Sequence, residues 1–172
     1  MEDIRITNIS IFRGEEGFIR GSLHVSGDRI RAVSPESEEN DELSEYTISL
    51  PGRFVIPGLV DIHTHGNSGY DFSDGSREGL HKIGKYLAAH GVTTFAPASM
   101  TLPYEKLETA FGTVTEYTRN RPADEARVAG IHMEGPFLSE KKKGAQNGMY
   151  LKHPDPEAFS GCRKCADMRS VS

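Results

Sequence analysis

The sequence predicts an α/β chain in which a strand-rich opening is followed by parallel β/α winding. Three observations predict it. Apolar residues come in short alternating bursts over the first 30 residues, a nearly continuous apolar run begins at Phe54, and beyond it strand-like and helix-like textures alternate.

In the opening, Ile4, Ile6, Ile9 and Ile11 and then Ser22, Leu23, His24 and Val25 alternate apolar with polar residues, with Gly14, Gly17, Gly21 and Gly27 between them. Strands joined by turns are expected here. The acidic stretch from Ser34 to Glu45 is nearly free of apolar residues and is expected to be a surface loop. From Arg53 the texture changes: Phe54, Val55, Ile56, Leu59, Val60 and Ile62 form the run required of a parallel strand covered on both faces. Gly79 to His90 carries Leu80, Ile83 and Tyr86 or Leu87 at helical spacing, and Val92 to Ala98 reads as a second strand. Pro103 to Arg119 reads as a second helix with Pro103 in its first turn, and Val128 to Met133 as a third strand. Strand, helix, strand, helix, strand fits an open doubly wound sheet or a closed barrel. A barrel domain takes about 250 residues, and about 115 follow Pro57.

Composition narrows the function. The 172 residues carry a formal charge of −5 and no long basic block, which argues against a surface for nucleic-acid phosphates or anionic lipid. Lys141, Lys142 and Lys143 form the sole basic cluster and read as a solvated loop. No apolar run approaches the roughly 20 residues that span a bilayer, and Glu2, Asp3 and Arg5 stand where a signal peptide needs apolar residues, so a cytoplasmic location is expected. Cys162 and Cys165 supply half of a four-cysteine zinc set, and their spacing is assigned to chance.

The sharpest chemical feature is Asp61-Ile62-His63-Thr64-His65 at the end of the apolar run. Strand alternation puts His63 and His65 on one face, about 7 Å apart along the chain, where two imidazoles can hold one divalent cation. A histidine pair hydrogen-bonded at a polar strand end is the plainer alternative, but the carboxyl ends of parallel strands are where β/α folds bind ligands. His132-Met133-Glu134-Gly135-Pro136 ends the third expected strand, with His132 and Glu134 sharing a face. A carboxylate there, near a histidine pair ending another strand, supplies mixed nitrogen and oxygen ligands for a metal with an open position, although Glu134 taken alone fits an exposed loop acid equally well. His132 reads as a hydrogen-bonded neighbour of the ligands rather than a ligand.

These residues carry a resemblance. The segment Pro57 to Gly66 (PGLVDIHTHG) resembles the first metal motif of the amidohydrolase superfamily. His132 to Asn147 (HMEGPFLSEKKKGAQN) is similar to the corresponding loop of the N-acetylglucosamine-6-phosphate deacetylases. The second motif is the more specific, and the resemblance runs over residues 1–159, including His65 to Phe72 (HGNSGYDF).

The resemblance implies the first three strands of a TIM-like (β/α) barrel over 57–159, preceded over 1–56 by part of a small β-sandwich domain. It implies that Glu134 is the metal-ligating carboxylate, that His63 and His65 ligate a second metal, and that Ala145 and Gln146 lie where the family contacts its sugar. Many relatives have a histidine where Gln146 stands. The implied cofactor is a divalent metal, with zinc first and iron, manganese or cobalt also suited to the ligands. The implied substrate is a small amino-sugar phosphate, with no nucleic acid and no membrane as partner, and the family forms homodimers. The implied reaction is hydrolysis of the acetamide, with metal polarising the carbonyl and activating water, and a carboxylate as general base. In the family that base is an aspartate on a late strand and two more histidine ligands lie on middle strands; none has a counterpart here, so no catalytic base is assigned within the chain.

Ser160 to Ser172 (SGCRKCADMRSVS) shows neither helical nor strand periodicity and reads as an aberrant tail of a frameshifted or truncated gene. A polypeptide of this extent is expected to fold poorly and to be inactive by itself. The competing functions are another amidohydrolase acting on a cyclic amide, against which the Glu134 to Asn147 loop speaks, and a non-catalytic metal-binding module using His63, His65 and Glu134.

Overall fold

A computed structural model describes residues 3–38 and 46–165. The chain divides into two units, Met1–Pro57 and Gly58–Ser172.

The first unit holds a four-stranded sheet of β1 (Asp3–Phe12), β2 (Phe18–Ser26), β3 (Arg29–Pro35) and β4 (Tyr46–Val55), ordered β3-β2-β1-β4. β1 and β2, and β2 and β3, pair antiparallel, while β4 runs parallel to β1. Ile4 and Ile6 have even numbers and Ile9 and Ile11 odd, yet all four share a face, because the register shifts between Ile6 and Ile9 where Asn8 takes φ 60°. The extra residue of such a bulge restores the alternation that a straight strand would lose. Ile9, Ile11 and Leu23 are the buried centre of this unit. The expected acidic loop begins later than its composition indicates: Ser34 and Pro35 still pair with Ser22 and Gly21, Glu36–Glu38 form a 3-10 turn, and positions 39–45 lie outside the described residues.

The apolar run from Phe54 is not one strand. Phe54 and Val55 end β4 in the first unit, and β5 (Leu59–Thr64) opens the second. Nor is β5 covered on both faces: Leu59, Val60 and Ile62 are exposed at 51%, 62% and 75%. Among the described residues β5 pairs with β8 alone, so it is the edge of its sheet and lacks the neighbour that a central strand would have.

After β5, a small hairpin of β6 (Gly66–Asn67) and β7 (Tyr70–Asp71) turns at Ser68 and Gly69, whose φ values of 55° and 82° belong to a left-handed turn. Gly66 cannot carry a side chain, since a Cβ would strike the carbonyl of Tyr70. Asp71 then caps a short 3-10 turn and Ser76 caps α1 (Arg77–Ala89) through the N–H of Gly79. Next come β8 (Val92–Ser99), α2 (Tyr104–Asn120), β9 (Arg127–Val128), β10 (His132–Met133) and α3 (Pro156–Cys165). β5, β9 and β10 all pair parallel to β8. Pro103 stands one position outside α2, as its N-cap, rather than in the first turn. The third expected strand is interrupted: β9 and β10 are two-residue pieces, and between them Ala129 donates its N–H to the carbonyl of Phe95 at 2.9 Å.

The core of the second unit lies between the strands and helices. Leu80, Ile83 and Leu87 of α1 meet Leu107, Phe111, Val114 and Tyr117 of α2 around Phe95 and Val128. Each such side chain contributes about 1.5–3 kcal/mol through burial. Tyr117 donates its hydroxyl to the Ala126 carbonyl at 2.6 Å, and His81 Nδ1 lies 2.8 Å from Glu125 Oε2, which ties the loop after α2 back to α1. Of the stretch expected as an aberrant tail, Ser160 to Cys165 belong to α3, and Cys162 is buried in this same core. Positions 166–172 and the side chains of Arg163, Lys164 and Cys165 lie outside what is described. Among the described residues, no helix is long and apolar enough to cross a membrane.

Candidate metal centre

The carboxyl ends of β5, β8 and β10 lie side by side: Thr64 pairs with Pro97, and His132 and Met133 pair with Ala98 and Ser99. Side chains leaving β5 and the turn after β10 therefore converge. His63 Nε2 lies 3.5 Å and His65 Nε2 3.1 Å from Glu134 Oε2. One ligand atom from each of the three falls within 4.8 Å of the others. The two imidazoles stand nearly perpendicular, with ring centroids 5.1 Å apart and an interplanar angle of 87°.

Each member is held by backbone that the sequence specifies locally. Asp61 Oδ1 accepts the His63 N–H at 3.0 Å within β5. His65 Nδ1 lies 3.0 Å from the carbonyl of Ala98 on the neighbouring strand. A carbonyl only accepts, so Nδ1 carries a proton, and Nε2 is the ring nitrogen turned toward Glu134. Glu134 follows β10 directly, and Gly135 at φ 84° turns the chain immediately after it.

This arrangement fits a cation. Glu134 Oε2 is buried and has no hydrogen-bond partner, although two ring nitrogens stand within 3.5 Å of it. A buried carboxylate oxygen without a hydrogen-bond partner, set within 3.5 Å of two imidazole nitrogens, is a place that a divalent cation would stabilise. Two imidazoles and a carboxylate are ligands that zinc and related divalent ions accept.

His132 packs its ring on His63, at 4.8 Å between centroids, and does not join the three convergent ligands. Ala145 is exposed on the loop that follows. Gln146 is buried, and its side-chain Oε1 accepts the N–H of Thr101 at 2.7 Å. Thr101 and the Ala98 carbonyl had no signal in the sequence: a lone threonine past a strand end and a backbone oxygen carry no motif. Lys143 is more than a solvated cation, since its Nζ donates to the Gln146 carbonyl at 3.0 Å.

No family model matches the chain. The N-acetylglucosamine-6-phosphate deacetylase of Mus musculus is 31% identical over 159 residues, covering 91% of this chain and 38% of the mouse protein. Among solved structures, the N-acetylglucosamine-6-phosphate deacetylase from Pasteurella multocida superimposes with a TM-score of 0.81 at 27% identity, over 98% of this chain and 44% of that one. A mutant N-acetyl-D-glucosamine-6-phosphate deacetylase from Mycobacterium smegmatis, in complex with N-acetyl-D-glucosamine-6-phosphate, gives 0.78 at 24% identity over 99% of this chain, a likeness of fold. The chain thus spans about two fifths of the length of the relatives it matches.

Proposed function

Because the chain belongs to the N-acetylglucosamine-6-phosphate deacetylase family, we propose that His63, His65 and Glu134 hold a divalent cation, zinc foremost, in a site for removal of the N-acetyl group of N-acetylglucosamine 6-phosphate. The products are glucosamine 6-phosphate and acetate, in the catabolism of amino sugars. The observation that carries this reading is the meeting of the three ligand atoms within 4.8 Å at the carboxyl ends of parallel strands.

When bound, such an ion supplies Lewis-acid polarisation of the amide carbonyl and of water. The chain's own residues supply the frame. Glu134 brings the negative charge that draws the cation in, and His65 presents Nε2 in a tautomer fixed by Ala98. His63 completes the set from the same strand, and His132 buttresses its ring. Ala145, exposed beside the buried Gln146, is assigned with it to the contact with the sugar. The fold that goes with this reading is the opening three strands of a (β/α) barrel behind part of a β-sandwich. The parallel order β5, β8, β10, with α1 and α2 between them, supports it. The complete enzyme works on a small amino-sugar phosphate as a homodimer. The general base and two further histidines named by the resemblance have no counterpart among these 172 residues, so the polypeptide by itself releases no acetate.

The test is a chimera in which residues 1–159 replace the matching segment of the mouse relative. Metal-dependent acetate release from N-acetylglucosamine 6-phosphate, abolished by Glu134→Gln, supports the proposal. A folded, metal-loaded chimera that leaves this substrate intact overturns it.

A further inference from the structure

We infer that Gln146 is a positioning residue that acts through Thr101 on Glu134, so that its side chain orders the metal ligand; this rests on the metal-centre reading above. Gln146 is 4% exposed. Its Oε1 accepts the Thr101 N–H at 2.7 Å, and its Nε2 lies 3.8 Å from the sulfur of Met100. Its backbone N–H bonds the Lys143 carbonyl at 3.1 Å, and its own carbonyl takes the Lys143 Nζ at 3.0 Å. Both ends of the amide are therefore turned inward, onto the exit of β8.

Thr101 is the intermediate. It is 1% exposed and lies two residues past the end of β8, where its N–H has left the sheet ladder and must find another acceptor. Its Oγ1 stands 3.5 Å from the Glu134 carbonyl, a long contact. The packing is nevertheless tight, because a Cβ on Gly135 would collide with that Oγ1. The loop amide thus holds the strand exit, and the strand exit bears on the peptide that carries the ligating carboxylate. Glutamine suits the role by length and by neutrality: it offers an uncharged acceptor to a buried donor, where asparagine would fall one methylene short.

The experiment uses the full chain and cobalt(II) as the probe, with amide hydrogen exchange read on the metal-free protein. Gln146→Met keeps length and volume but removes the oxygen acceptor; Gln146→Glu keeps the acceptor. In the Met variant, cobalt affinity should fall about tenfold, the scale for loss of an outer partner of a metal ligand. The cobalt absorption bands should shift, and the Thr101 and Glu134 amides should lose protection. Gln146→Glu should restore affinity to within about threefold of the parent, the residual reflecting its buried charge. Thr101→Ala, which keeps the Thr101 N–H bonded to Gln146 but removes Oγ1, should weaken cobalt binding while Thr101 stays protected. It serves as the second arm if the Met variant does not fold. Parent-like cobalt affinity in Gln146→Met or Thr101→Ala overturns the inference, and so does an equal loss in the Met and Glu variants. A parent chain that takes up no cobalt defeats the metal-centre reading separately, and the exchange of Thr101 and Glu134 then decides whether the latch exists.

Discussion

His65 and Glu134 face each other across 3.1 Å with the imidazole's other nitrogen already committed to the Ala98 carbonyl. The imidazole cannot turn away without breaking its contact with the neighbouring strand. The pair is therefore a preorganised site for positive charge, built from two strand ends and one backbone oxygen.

Replacing Glu134 by Ala removes the one carboxylate of the set. Zinc affinity, read by competition titration against a chromogenic chelator, should fall by more than about 100-fold, beyond the 10- to 100-fold that loss of an outer partner brings. Fold should survive, since a buried oxygen without a hydrogen-bond partner is removed with it. Unchanged zinc affinity would remove Glu134 from the centre.

Gly135→Ala should be costly for its size. The residue holds φ 84°, where an L side chain is disfavoured by about 1–2 kcal/mol, and its Cβ would meet Thr101 Oγ1. Urea denaturation should show a loss of at least that size, with weakened zinc binding because Glu134 is the adjacent residue. Wild-type stability in this variant contradicts the packing described.

The Tyr117 phenol predicts how the chain behaves in alkali. Burial first, and then the negative charge of Glu125, push it well above the usual tyrosine value of about 10. The folded state therefore holds this proton where the unfolded chain has released it. The stability it contributes is fully present below about pH 10 and is lost as pH rises beyond that value. Thermal melts from pH 9 to 12 should show a decline that Tyr117→Phe reduces. At neutral pH the same variant should lose about 1 kcal/mol with its bond to Ala126. An identical alkaline slope in the two proteins would be the contrary result.

Cys162 tests whether the last helix belongs to the fold. Its side chain is 1% exposed within the core of the second unit. In a Cys165→Ser background a thiol reagent should modify it only as urea unfolds the protein, with labelling tracking the unfolding curve. Rapid labelling in buffer would detach α3 from the core.

Much of the site was legible in the sequence because its chemistry follows strand parity. His63 and His65 differ by two, and Glu134 closes an apolar stretch with a Gly-Pro stop, so their shared destination could be read from spacing. What was not legible depended on partners distant in the chain. Phe54 to Ile62 reads as one buried strand from composition, yet the break at Ile56 to Gly58 divides it between two units and leaves β5 on an edge. The third strand was expected whole, but Ala129 to Ile131 leave the ladder while Ala129 bonds Phe95. Gln146 sat in a recognisable loop, but its inward turn was set by a backbone N–H 45 residues away. Ser160 to Cys165 read as irregular because within that stretch Cys162 stands alone among small and polar residues, while the helix that carries it starts earlier, at Pro156.

One-sided pairing gives β5 an unusual vulnerability. Its ladder to β8 already shifts between Leu59 and Val60 and again between Asp61 and Thr64. Sliding it by a single position would carry Ile62 and Thr64 into the places of the two histidines, exchanging nitrogen donors for an aliphatic group and a hydroxyl. Cation uptake by this polypeptide is consequently a sensitive gauge of whether that strand has docked in its proper frame.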